Sequence, residues 1–86
     1  MFYKEDLRIV AAAIMYNGTI YTGKRHANIM QAIWDELGDL VYINQESQGF
    51  IDNNGAFWNR FQACAIAHRA GQTHKHGCNI TSEDLW

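Results

Sequence analysis

The dipeptide Asn17-Gly18 constrains what this chain can fold into more than any other feature. It separates a mostly apolar stretch, Leu7 to Tyr16, from a short second run, Thr19-Ile20-Tyr21-Thr22. Asn-Gly is the favoured pair of a two-residue type I′ turn, because both central positions need positive φ. The pattern therefore predicts a long strand folded straight back on a second one. Along the first arm, Leu7, Ile9, Ala11, Ala13 and Met15 alternate with Arg8, Val10, Ala12, Ile14 and Tyr16. Both sets are largely apolar, so this strand is expected to be covered on both faces, with its run of alanines letting a helix pack closely.

From about His26 to Leu37 the period changes. Ile29, Met30, Ile33, Trp34 and Leu37 share one helical stripe, Asp35 and Glu36 lie opposite, and Gly38 suits the position just past the helix. Leu40 to Ile43 reads as a short strand or a connection. Gln48 to Asp52, then Asn53-Asn54-Gly55, then Ala56-Phe57-Trp58 predicts a second hairpin with a three-residue turn. Asn59 with Gln62 makes a capping box, opening an alanine-rich helix from Phe61 to Ala70 that Gly71 closes. Gln72 to Asn79 reads as a loop, and Ile80 to Trp86 as a final short strand or ordered tail. The fold expected is α+β: a small antiparallel sheet built from two hairpins with two helices, in one domain spanning 1–86.

Composition adds a tension. At 86 residues the chain buries only roughly 60–65% of its unfolded surface, yet it is 48% hydrophobic and 13% aromatic, with no proline. The apolar surplus is expected to meet another subunit or a ligand. A net charge of −2 argues against a general nucleic-acid binder, so no DNA or RNA duplex is expected as partner. The acids Glu5 and Asp6 close behind the first apolar residues argue against a signal peptide, and the longest apolar run, Ile9 to Tyr16, is too short to span a bilayer. Cys64 and Cys78 could form at most one bridge, which favours a reduced, cytoplasmic protein.

Three clusters could carry chemistry. At the junction of the second strand and first helix, Tyr21-Thr22-Gly23-Lys24-Arg25-His26 joins a glycine, which admits close approach to the backbone, with a helix start and cations. Arg25 could grip two phosphate oxygens and Lys24 act as a mobile charge; the plainer reading is a solvated basic turn. Around the second hairpin, Phe57 and Trp58 cannot both point into one core, so one should meet a helix, a subunit or a ligand ring. Arg60 follows as a further phosphate or ribose donor. The third cluster is Cys64 and His68, one helical turn apart, with His74, His76 and Cys78. No standard zinc spacing is matched, and a buried structural cysteine beside a polar loop is the better reading. No catalytic triad, metalloprotease motif or carboxylate pair stands out, so a binding protein without cofactor or metal is expected rather than an enzyme.

Taken together, Ile20-Tyr21-Thr22-Gly23-Lys24-Arg25-His26, Gln48-Gly49-Phe50, Phe57-x-Asn59-Arg60 leading into the alanine-rich helix, and Ser82-Glu83-Asp84-Leu85-Trp86 resemble a phage family. That family is the first type of Thoeris anti-defence protein. The likeness runs from about Ala12 to the C-terminus, although Trp58 stands where a smaller β-branched residue is usual and the final aromatic is tryptophan instead of tyrosine. The resemblance implies a sponge in the cytoplasm of the infected bacterium. Such a protein binds, without cleaving, a cyclic ADP-ribose isomer made by host Thoeris TIR enzymes. Some members also bind cyclic trinucleotides of the CBASS defence system, and members assemble as dimer-based homo-oligomers up to hexamers. Carried onto this chain, the ligand contacts would be Thr22, Gly23, Lys24, Arg25, His26, Phe57, Arg60 and Asp84. Lys24 and Arg25 would meet phosphates, Phe57 the base and Asp84 the ribose hydroxyls. The rival readings are a protein–protein inhibitor of a host defence protein and a signal-degrading phosphodiesterase using His26 or the His74/His76 loop.

Overall fold

A computed structural model describes residues 7–38 and 41–86. Its elements are β1 (Ile9–Tyr16), β2 (Thr19–Gly23), α1 (His26–Leu37), β3 (Gln48–Asp52), β4 (Phe57–Asn59) and α2 (Arg60–Arg69). Short 3-10 turns stand at Gln45–Ser47 and Ser82–Asp84. The strands form one antiparallel sheet in the order β2-β1-β3-β4. This is the expected α+β fold, with two hairpins and two helices.

Both hairpins form where the turn residues require them. Asn17 and Gly18 take φ of 53° and 81°, and Tyr16 pairs with Thr19 across the turn. In the second hairpin Gly55 takes a φ of 87°, but a side chain organises the loop. Asp52 Oδ1 accepts from the backbone N–H of Asn54 at 2.7 Å and of Ala56 at 3.0 Å, while its Oδ2 accepts from Trp58 Nε1 at 2.7 Å. Burial of this carboxylate would raise its pKa, yet the three donors outweigh burial and hold it below the ordinary aspartate value.

The strict alternation expected along the first strand breaks at a β-bulge. Ile9 pairs with Asp52 and Ala11 with Ile51, so Val10 is an extra residue on β1. Its insertion reverses the phase. Ile9 therefore lies with Ala12 and Ile14 on one face, all buried, instead of with Ala11 and Ala13. That face meets Ile29 and Ile33 of α1, Ala63, Cys64 and Ala67 of α2, Phe50 of β3, and Ile80. Each large apolar side chain fully buried here stabilises the fold by roughly 1.5–3 kcal/mol.

The sheet is covered on one face, not two. Both helices and the C-terminal tail pack on the Phe50 face, which uses up the helical layer. The opposite face presents Met15 and Ile20, 39% and 42% exposed, with Ile51 and Phe57 half-buried. At α1 the predicted stripe holds for Ile29 and Ile33, with Met30 and Trp34 half-buried, but Leu37 is exposed. Leu40 lies outside the described residues, as do Met1–Asp6, and residues 41–44 form a connection. Trp34 Nε1 donates to Val41 O at 2.9 Å across it. The capping box at α2 forms as expected: Asn59 Oδ1 accepts from Gln62 N–H at 2.7 Å, and Gln62 Oε1 from Asn59 N–H at 3.1 Å. Ile80 to Trp86 is an ordered tail, not a strand. Among the described residues, no helix is long and apolar enough to cross a membrane.

Candidate functional site

The two helix starts face the same C-terminal strap. Ile80 N–H donates to Arg60 O at 3.3 Å, and Ser82 Oγ accepts from His26 N–H at 3.4 Å. The strap thus runs from the first residue of α2 to the first residue of α1. Arg25 sits just before α1 with extended backbone, and its Nη1 lies 3.7 Å from Glu83 Oε2. Glu83 is 69% exposed, so this pair is readily exchanged for another anion and contributes little to stability.

Arg60 faces a cleft of about 190 Å³ whose walls include Gln45, Gln48, Asn59, Phe61 and Asn79, with Glu46 as the one acid. Its Nη1 donates to Gln45 Oε1 at 3.1 Å and its Nη2 to Gln48 Oε1 at 2.6 Å. The Nε atom is buried and has no partner among the described residues. A guanidinium N–H hidden from water without an acceptor costs about 1–3 kcal/mol or more. Phe61, 55% exposed, puts an aromatic ring at the margin of the same cleft. Of these residues sequence reasoning named only Arg60 as a ligand contact. Gln45, Gln48 and Asn79 carry no local signal as partners of Arg60, because the segment 45–48 and the C-terminal strap meet the start of α2 only in the fold.

His26 lies in the interior, 4% exposed. Its Nε2 donates to Gly49 O at 2.7 Å, and its ring meets Phe50 edge-on, centroids 4.9 Å apart. Burial is the main cause that holds its pKa below the ordinary histidine value; the Gly49 carbonyl opposes this, the positive charge of Arg60 adds to it, and Glu83 opposes it. The ring is therefore a neutral strut between α1 and β3, with no face open to a phosphate. Gly23 has a packing reason as well: a Cβ there would stand 2.9 Å from Ile29 Cγ1, so the glycine lets α1 close down on β2.

Asp84 is committed to its own turn. Its Oδ2 accepts from Thr81 N–H and Oγ1, both at 3.0 Å, and its Oδ1 from Lys75 Nζ at 2.7 Å. The Lys75 hydrogen bond, then those from Thr81, hold its pKa below the ordinary value despite some desolvation. Lys24 and Thr22 are exposed. Thr22 pairs with Ala13 on the helix-free face of edge strand β2. Phe57 lies on that same face but on β4, the opposite edge, with its ring against Gly49. Trp58 takes the other side, opposite Phe50, and packs on the core. Thus Arg25, His26 and Arg60 gather about the strap, whereas Thr22 and Phe57 are three strand spacings apart on the other side, about 14 Å.

Cys64 and His68 do lie one turn apart on α2, and their partners approach from the loop. The Cys64 and Cys78 sulfurs are 3.4 Å apart, and the His68 and His76 ring centroids 5.1 Å. Among the described residues, however, no three of His, Cys, Asp or Glu are placed to hold one metal ion. No curated protein and no solved structure matches the chain. The match to a known family covers residues 8–86, both helix starts and the whole strap included, and by it the chain belongs to the phage T4 y16D protein family.

Proposed function

We propose that this phage protein is a sponge: it binds a cyclic ADP-ribose isomer made by host Thoeris enzymes and holds it without cleaving it. The observation that carries the reading is Arg60, a guanidinium that lines a cleft together with the side chains of Gln45, Gln48, Asn59 and Asn79. Phosphate or ribose oxygens would take the places of the Gln45 and Gln48 amide oxygens on Nη1 and Nη2, and a planar guanidinium suits paired oxygens. Arg25, whose partner Glu83 is loosely held, is a second cation near the same strap. Phe61 offers a ring for the base at the edge of the cleft.

The size of the cleft bears on how such a ligand would be held. About 190 Å³ is smaller than the roughly 300–1,000 Å³ of sites that enclose a drug-sized molecule. One protomer would thus take a phosphate and part of a ribose. Nanomolar retention, about 12 kcal/mol, requires more of the ligand to be enclosed. Self-association supplies the remainder in this reading. The open sheet face with Met15, Ile20, Ile51 and Phe57 is apolar enough to pair with a second copy, and Phe57 would then act from the neighbouring subunit. Cyclic trinucleotides are a second ligand class to which the same assay applies.

The test is capture and release. Purified protein is incubated with a cyclic ADP-ribose isomer, the free ligand is measured by mass spectrometry, and the protein is then heat-denatured. Depletion followed by recovery of intact ligand is the expected result. A cleaved product would identify a hydrolase instead, and no depletion would overturn the reading. Arg60→Ala should abolish depletion with the circular dichroism spectrum unchanged.

A further inference from the structure

Cys64 is fully buried on the inner side of α2, and Cys78 stands half-buried at the end of the loop returning from that helix. Both are free thiols, with sulfurs 3.4 Å apart. We propose that Cys64 and Cys78 are a site of reversible oxidative modification, closing to an intramolecular disulfide on exchange with a low-molecular-weight disulfide of the glutathione type. The inference is independent of any nucleotide ligand.

The geometry needs little rearrangement. A disulfide bond is about 2.05 Å long, so the sulfurs must approach by roughly 1.3 Å. One of them rides on a segment without helix or strand, where such a shift meets least resistance. The loop is nevertheless already docked. Gln72 exchanges two hydrogen bonds with the backbone of Ile9, at 2.9 and 2.8 Å, and His76 packs against His68. The thiols therefore remain near each other without a covalent link, the condition under which an intramolecular second step outruns capture of another molecule.

Exposure sets the order of events. Cys78 is the reachable sulfur, so its thiolate attacks one sulfur of the external disulfide, forming a mixed disulfide and releasing one thiol. The thiolate of Cys64 then attacks Cys78 Sγ, forming the Cys64–Cys78 bond and expelling the second thiol. The two protein thiols give up two electrons and two protons, and one external disulfide is reduced to two thiols. At rest the Cys64 hydrogen bond, burial and the neighbouring Cys64 and Asp84 charges raise the Cys78 pKa against the lowering effect of Lys75. Cys78 therefore rests as a thiol at neutral pH.

The bond would matter because Cys78 leads directly into the strap. Asn79 lines the Arg60 cleft, Ile80 binds the start of α2, and Ser82 binds the start of α1. Closing the link fixes the beginning of that strap to α2.

The test treats the full chain with oxidised glutathione. The expected product is lighter by about 2 Da, resists alkylation when denatured, runs as a monomer on a non-reducing gel and reverts with dithiothreitol. A closed loop of this length should raise the Tm by on the order of 10 °C. Cys64→Ser, lacking the second nucleophile, should instead accumulate a glutathione adduct at Cys78. Wild-type protein that keeps both thiols, accumulates the mixed disulfide or forms disulfide-linked dimers overturns the proposal, and it does so whether or not the serine variant folds.

Discussion

Gly49→Ala should be among the most damaging single-methyl additions to this chain. Gly49 pairs with Ala13 on one side and Asn59 on the other. A Cβ at this position would run into the carbonyl oxygen of Trp58, and would stand 2.7 Å from Phe57 Cζ and 3.1 Å from its Cε1. Carbon atoms in contact ordinarily stay about 3.5–4.0 Å apart. The Phe57 ring can swing away. The carbonyl cannot, because moving it displaces β4, which is held to β3 by only three residue pairs. Overpacking costs about 1–3 kcal/mol, and disturbing the charged hydrogen bond from Trp58 to Asp52 about 1.5–3 kcal/mol more. Together these amount to about 2.5–6 kcal/mol, and a loss of ~3 kcal/mol lowers the Tm of a domain this size by on the order of 15 °C. Urea and thermal unfolding followed by tryptophan fluorescence measure it. The sign is diagnostic, since with no obstruction Gly→Ala would stabilise by about 0.4–1 kcal/mol through the unfolded chain. The double variant with Phe57→Ala separates the two obstacles. The carbonyl argument requires that removing the ring restore little of the loss. Near-wild-type stability of Gly49→Ala, or full rescue in the double variant, would refute the reasoning.

Two further outcomes concern buried titratable groups. Asp52→Asn should cost about 1.5–3 kcal/mol at neutral pH, because the amide cannot accept from all three donors. The folded-state pKa of Asp52 lies below 3.8, so the wild-type advantage is complete above that value and disappears as pH falls through the folded value; denaturation midpoints of both proteins across that range measure it. His26, with a folded pKa below 6.5, acts as a base that the unfolded chain protonates first. Its contribution is complete above pH 6.5 and is lost as the pH falls from there towards the folded value, with the His26 ring resonances still neutral by NMR at pH 6.5.

Parts of the candidate site were legible in the sequence for different reasons. Arg25 and Arg60 stand out because each is a cation at a helix start, and helix starts are marked locally: Asn59 and Gln62 write the cap of α2 within four residues. His26 and Asp84 look equally available in the sequence, but the fold occupies both. His26 is taken by a carbonyl on β3 and Asp84 by Lys75 and Thr81. The unmet Nε of Arg60 has no sequence signal at all, since an unmet donor exists only relative to everything packed around it.

The same division holds for the whole chain. Asn17-Gly18, Gly55, the α2 capping box and the Ile29–Ile33 stripe of α1 determined both hairpins and both helices, because turn dihedrals, caps and helical periodicity act over two to four residues. Tertiary structure alone decided that Val10 bulges and reverses the faces of β1, that both helices share one side of the sheet, and that Gly49 must admit the Trp58 carbonyl. It also decided that residues 64 and 78 bring their sulfurs together. These outcomes depend on which distant segments compete for the same space. That competition is resolved only when the chain closes its core, where one extra residue or one methyl group changes what can touch.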